Sequence, residues 1–358
     1  MAVVFCLSRR ASAQVPVLIE GLADGEFWST TTASNLLTRN AGRPAGLARL
    51  QLWSAIEPVR RFVVYGQATL ETGDALTNTP DSYHASVEQF GVRFTASPAF
   101  VVDGGRLTSV VGTFAARRFS NRNPLIATPD GYVVNYPYGA MVSGVLKRFD
   151  YRAALVSLPV NHPNYVPPPT PALRPAAGFG VTPIVGLRFG GSFTVGPYLN
   201  DTLQATRLAG EAWDHYKQRV VAMDARFSRG YLETHVEAAR GSYDVPGRPT
   251  PIFGYTYYGE AKYTLSPRFF VAARAERNKY PFIRANATAW VARVTDFVNG
   301  EAGVGYRVSA STLVKASVRG DRWWVAEGAP GYRGRGGEAV ALQVSQAFDA
   351  MSWFARDR

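Results

Sequence analysis

Apolar and polar side chains alternate with a period of two along almost the whole chain. Within 60–71, Phe62, Val64, Gly66, Ala68 and Leu70 interleave with Arg61, Tyr65, Gln67, Thr69 and Glu71. Val221, Met223, Ala225 and Phe227 oppose Asp224, Arg226 and Ser228, while Leu232, Thr234, Val236 and Ala238 oppose Glu233, His235 and Glu237. Tyr257, Gly259, Ala261, Tyr263 and Leu265 stand against Glu260, Lys262 and Thr264. Ala302, Val304, Tyr306 and Val308 stand against Glu301, Arg307 and Ser309. A period of two puts each set on its own face of a β-strand. Hardly any segment carries a helical stripe, and no run approaches the ~18 apolar residues of a membrane helix.

Turn chemistry divides these strands into a rhythm. Tight turns are expected at Glu57-Pro58-Val59, Ser97-Pro98-Ala99, Phe149-Asp150-Tyr151, Gly190-Gly191, Arg229-Gly230, Ser266-Pro267-Arg268 and Ser309-Ala310-Ser311, each with the Gly, Pro, Asp or Ser that a turn requires. Between them run long polar connections near 32–45, 72–83, 113–137, 161–178, 200–217, 243–253, 281–294 and 324–337. With a first strand at 17–31 and a last at 338–348, the count reaches sixteen. Short turns at one rim and long loops at the other belong to transmembrane barrels. The apolar faces are rich in Ala, Gly and Val, too thin for a two-layer soluble core, and closure removes every unpaired edge. The fold expected is all-β: a closed antiparallel transmembrane β-barrel of about sixteen strands. Trp28, Trp53, Tyr255, Tyr257, Phe269, Trp323 and Trp324 fit interfacial girdles.

One stretch breaks the rhythm. A strand over Phe100–Gly112 and a returning strand over Tyr138–Phe149 enclose the excursion Thr113–Pro137. Loops of about 25 residues are uncommon and usually functional or disordered, and here aromatics and prolines argue against disorder. The excursion holds Arg117, Arg118 and Arg122 beside Phe119, Tyr132 and Tyr136, with Asp130 as its acid. It reads as the part that faces a ligand. In the strand before it, Asp103 and Arg106 differ in parity. A bulge at Gly104-Gly105 would bring both to one face; a position near the rim would serve as well.

Composition refines this picture. The chain has 358 residues, 46% of them hydrophobic, and a net charge of +12. Mean hydropathy is −0.09 and the pI near 9.9. A basic balance favours anionic partners, but the basic residues are scattered and no nucleic-acid recognition motif occurs. Residues 1–13 read as a signal peptide, with an apolar run Ala2–Leu7 and Ala11-Ser12-Ala13 as a cleavage site. Arg9 and Arg10 follow the apolar run instead of preceding it, as expected if the start is placed too late. The single Cys6 lies in that leader, so no disulfide or thiolate metal site is expected. The barrel then occupies 14–348, and 349–358 form a short tail or an extension of the last strand. The proline-rich stretch Asn161–Ala177 is stiff, a rigid extracellular loop before it is a recognition motif.

At this point the chain resembles Gram-negative outer-membrane porins of the sixteen-stranded class. The likeness is one of architecture: a terminal strand closing on Phe348, and a long loop after strand 5, called loop 3. In such porins loop 3 folds inward and narrows the pore. The resemblance therefore implies an inward-folded loop 3 with Arg117, Arg118, Arg122, Asp130 and Tyr132 at the constriction. General diffusion porins present carboxylates on that loop; this chain presents arginines, closer to the phosphate-selective type. Pore-wall candidates are Arg49, Arg61, Arg106, Lys147, Arg188, Arg226, Lys262, Arg274, Lys315 and Arg319. Acids including Asp24, Asp103, Asp224, Glu237, Glu260 and Glu276 accompany them, as in cross-strand ion pairs.

The function implied is passive diffusion of small anionic solutes across a Gram-negative outer membrane, since arginine rings favour anions. Lipid and lipopolysaccharide are the expected neighbours, and a homotrimer is implied by the analogy alone. The alternative is a non-conducting structural or adhesive barrel, its loop arginines solvated or gripping lipopolysaccharide phosphates. No cofactor, metal or enzymatic activity is expected. His84, His162, His215 and His235 show no shared metal-ligand spacing, no Gly-x-Ser-x-Gly elbow occurs, and His235 between Glu233 and Glu237 is the one cluster to check.

Overall fold

In the computed structural model, residues 16–31, 44–73, 83–131, 135–157, 172–199, 211–285, 290–324 and 336–351 are described. The leader, most of the proline-rich stretch, Tyr132 and the last residues of the tail lie outside them. Sixteen strands follow one another: β1 (Val17–Thr30), β2 (Ala45–Val59), β3 (Phe62–Thr72), β4 (Tyr83–Ser97), β5 (Phe100–Arg106), β6 (Tyr138–Leu146), β7 (Phe149–Val156) and β8 (Arg174–Ile184), then β9 (Leu187–Pro197), β10 (Lys217–Arg229), β11 (Leu232–Tyr243), β12 (Ile252–Thr264), β13 (Phe269–Ala285), β14 (Trp290–Arg307), β15 (Thr312–Trp324) and β16 (Gly336–Asp349). Each pairs antiparallel with its neighbours in chain order, and β1 pairs with β16 to close the barrel. No helix among the described residues is long and apolar enough to cross a membrane.

Alternation sorts the two faces as the sequence implies. On β16, Val340, Leu342 and Val344 are exposed outward while Gln343 and Ser345 are buried inward. On β15, Val318 faces out, and Lys315 and Arg319 are buried inside. An apolar exterior around a polar, charged interior is stable in lipid, where every backbone group must be paired within the wall. The barrel is of the outer-membrane type.

Several local expectations are corrected. The turn predicted at Gly190-Gly191 lies instead at Val185-Gly186, where Gly186 takes φ 87°. Gly190 is in β9, where a Cβ would collide with the Asp224 carboxylate and the Arg188 guanidinium; its smallness makes room for an ion pair. The turns predicted around Pro58 and Asp150 fall at Arg60-Arg61 and Lys147-Arg148. Arg61 and Lys147 take φ 76° and 56° there, so neither belongs to the pore wall. Trp28, Trp53 and Trp323 have inward parity and are not girdle residues; Trp28 is 9% exposed and Trp323 1%.

β5 stops at Arg106, six residues short of the predicted end at Gly112. The alternating residues after it are apolar because they pack inside the barrel. The predicted bulge at Gly104-Gly105 is absent: β5 pairs with β4 and β6 in unbroken register from Val102 to Arg106. Arg106 is placed at the strand end, where its Nε donates to the Tyr136 carbonyl at 3.2 Å. A bulge does occur on β4, where Gln67 pairs with Gln89 but Ala68 with Val87. The extra residue, Glu88, turns inward beside Gln89, and both reach Gln67.

Candidate functional site

Residues 107–131 leave the end of β5 and enter the lumen. Leu107, Val110, Val111, Phe114, Leu125, Ile126, Ala127 and Tyr136 are all buried. Val110 packs on Ala154, Val156 and Ala176 of β7 and β8, and Val111 on Val220, Ala222 and Ala239 of β10 and β11. Ile126 and Ala127 reach the far side, against Trp28, Ala339 and Ala341 of β1 and β16. Small inward residues on the wall thus leave space for larger ones on the loop, and the segment crosses the barrel.

A lumen-crossing segment has few partners for its own backbone, so the wall supplies them. Glu237 accepts from the Thr113 amide at 3.1 and 3.2 Å. Glu301 accepts from the amides of Ile126 and Ala127, each at 3.1 Å. Glu276 accepts from the Asp130 amide at 3.1 Å. Carbonyls are met by cations: Lys315 Nζ donates to Ser120, Asn123 and Leu125 at 2.9, 3.0 and 2.8 Å, using all three ammonium protons. Arg274 donates to the Ala127 carbonyl at 2.8 Å and Arg152 to that of Gly112 at 3.1 Å.

The loop side chains follow the same plan. Arg117 pairs with Glu260, and Arg118 with the bulged Glu88. Arg118 also lies 4.7 Å from the Phe119 ring centre and 5.2 Å from that of Tyr136. Burial pushes the Tyr136 phenol well above its usual range, which keeps it a neutral donor toward Glu88 at 3.5 Å. Phe119 meets Trp53 edge-on at 5.0 Å. Arg122 is the exposed member, 5.8 Å from Phe119, with one bond to the Ala116 carbonyl. Asp130 joins Arg319 and Asn299. Arg117 and Arg118 thus act as anchors, and Arg122 is the loop arginine that faces open space.

On the wall, one cross-strand row runs in register: Arg188, Arg226, His235, Glu260, Arg274, Glu301 and Arg319 on β9 to β15. Its later half alternates in sign, with Arg274 bonded to Glu260 at 3.3 Å and Glu301 at 2.8 Å. Its first half does not alternate. Arg188 is bound by Asp150 and Asp224 at 2.7 and 2.5 Å, but Arg226 directly opposite it forms no ion pair among the described residues. The Nε of Arg226, the Nε of Arg152 and the Nδ1 of His235 are buried and have no hydrogen-bond partner among the described residues. Like charges opposite each other destabilise a sheet, and the Asp150 and Asp224 carboxylates on Arg188 offset that repulsion. Arg49 pairs with Glu26 and Glu71, and Lys262 with Glu233 at 2.8 Å.

Around His235 both flanking carboxylates are engaged by other residues. Glu233 is taken by Lys262 and Glu237 by Thr113. Among the described residues no cluster of three His, Cys, Asp or Glu could hold a metal. The sequence reading missed Glu88, Arg152 and Asn299. Glu88 was hidden by the bulge that reverses its parity, and Arg152 by a turn placed two residues late.

No family model and no curated protein matches the chain. Solved structures do resemble it. The outer-membrane-expressed OmpT of Vibrio cholerae is 9% identical with a TM-score of 0.61, over 96% of this chain and 99% of that one. A trimer form of in-vitro-folded OmpT is 10% identical with a TM-score of 0.59, over 93% and 99% of the two chains. An anion-selective porin from Comamonas acidovorans is 11% identical with a TM-score of 0.60, over 94% and 100%. At these identities the likeness is one of fold.

Proposed function

We propose that the barrel is a porin-like channel for passive diffusion of small anionic solutes across a Gram-negative outer membrane, narrowed by residues 107–137. The observation that carries the reading is the pair Arg152 and Arg226, two inward-facing arginines that form no ion pair among the described residues, in a lumen whose other charges are largely paired. Arginine rings favour anions, and the guanidinium fork fits carboxylate and phosphate. In this reading Arg122, Arg152 and Arg226 set the ion preference. Arg117, Arg118 and Asp130 hold the constriction in place, and no chemistry is performed on the solute. The resemblance to an anion-selective porin and to a barrel with a trimer form supports the channel and a homotrimer as its working state.

Charge reversal tests the assignment. Replacing Arg122, Arg152 and Arg226 by Glu is expected to move the zero-current potential in a salt gradient from the anion side to the cation side. An unmoved potential would remove these three arginines from selectivity. The dense stapling of 107–137 favours a second reading, a closed barrel with a structural role, in which wild-type protein shows no steady conductance.

A further inference from the structure

Trp53 takes no part in a lipid-facing girdle, and ion preference does not need it. Buried Gln51 on the same face of β2 fixes its inward parity. Its cross-strand neighbours are Glu20 of β1 and Gln67 of β3, and the indole is only half-buried among them. The lumen-crossing segment brings up Phe119, also half-buried, which meets Trp53 edge-on at 5.0 Å. Two large apolar rings thus stand partly open on the polar side of the wall. Apolar surface left facing water is unfavourable, so the pair favours a partner that covers it.

Charge marks the two ends of this ring pair differently. Arg118 lies 4.7 Å from the Phe119 ring centre but is taken up by Glu88. Arg122, which is exposed, lies 5.8 Å from the same centre. It donates to the Ala116 carbonyl at 3.3 Å and forms no ion pair among the described residues. Beyond Trp53, on the other side, stands the exposed carboxylate of Glu20, turned inward like Leu22 and Asp24 on the same strand. The order of contacts is carboxylate, indole, phenyl, guanidinium. An anionic group is attracted at the Arg122 end and repelled at the Glu20 end.

We propose that this surface is a binding site for an aromatic carboxylate, with the carboxylate on Arg122 and the ring against Phe119 and Trp53. The guanidinium fork matches a carboxylate bidentately, and aromatic rings gain from offset or edge-on contact beyond the area they bury. Glu20 sets the orientation, because the reverse pose would bring two carboxylates together. Inorganic phosphate or a short aliphatic acid would use Arg122 and leave both rings uncovered. The site gives the proposed channel a solute class, and rests on that reading for access to the lumen.

The test titrates the refolded full chain with benzoate and, separately, with acetate, reading binding from ligand NMR line widths. Variants W53A/F119A and R122Q are titrated beside wild type. Benzoate is expected to bind wild type about tenfold more tightly than acetate. W53A/F119A should bring benzoate down to the acetate level, and R122Q should weaken both ligands. Equal affinities in wild type, or a benzoate preference that survives in W53A/F119A, would overturn the proposal. Should the double variant fail to fold, W53L keeps an apolar side chain against Phe119 and is expected to lose part of the preference; no loss there counts against the site. Single-channel recording separates the two readings. A folded barrel that binds benzoate through these rings yet never conducts keeps the site and ends the channel. One that conducts chloride but treats benzoate and acetate alike keeps the channel and ends the site.

Discussion

Lys315 shows how single residues hold the lumen-crossing segment. Its ammonium is buried and satisfies three loop carbonyls at once. Replacing it with Met leaves three buried acceptors without a donor, each costing about 1–3 kcal/mol. The expected outcome for Lys315→Met is a folded barrel whose segment 107–137 is cut by protease faster than in wild type, and whose current is noisier. Equal protease resistance would show that the other staples suffice. Arg117 argues similarly: in Arg117→Gln the buried Glu260 keeps Arg274 but loses its bond to the loop. A loss of stability of about 3 kcal/mol or more is expected in denaturant titration. A solvated surface arginine would give less than about 0.5 kcal/mol. At this scale the sequence revealed which residues carry charge but not which are neutralised. Arg117 and Arg122 look alike as letters five positions apart; their difference lies in Glu260, which arrives from β12 through the closed barrel.

Strands were the legible elements. Period-two alternation gives the sixteen strands and most turns, because lipid on one side and polar lumen on the other act on every residue of the wall. Alternation misleads where a segment is apolar for another reason. Leu107–Gly112 continues the pattern of β5, but Val110 and Val111 pack on inward-facing alanines of other strands. A bulge misleads in the opposite sense, since Glu88 changes face without any change in composition. Deleting Glu88 should restore regular pairing between β3 and β4 while freeing Arg118, Gln67 and Tyr136 from their shared partner. The expected readout is an intact barrel with a looser constriction, seen as greater current variance; unchanged variance would separate the bulge from the site. At the β8–β9 turn, Gly186 with φ 87° admits no Cβ cheaply. Gly186→Val should cost about 1–2 kcal/mol, measured as a lower midpoint in urea unfolding.

For the whole molecule, two surfaces divide the work. Among the described residues the interior is a lattice of ion pairs and loop staples in which Arg152 and Arg226 form no ion pair; the exterior is an apolar belt with a cationic border on β10–β15. The closed topology connects these, because each strand contributes one residue in two to each surface. The leader, most of the tail and the connections 32–43, 74–82, 158–171, 200–210 and 325–335 lie outside the described residues. We propose that a lumen crossed by 107–131 still conducts, and prefers anions. Single-channel recording of refolded wild-type protein in a planar bilayer under a salt gradient decides this. Steady open events with a reversal potential on the anion side are expected. Silence from a correctly folded barrel, or a reversal potential on the cation side, would contradict it.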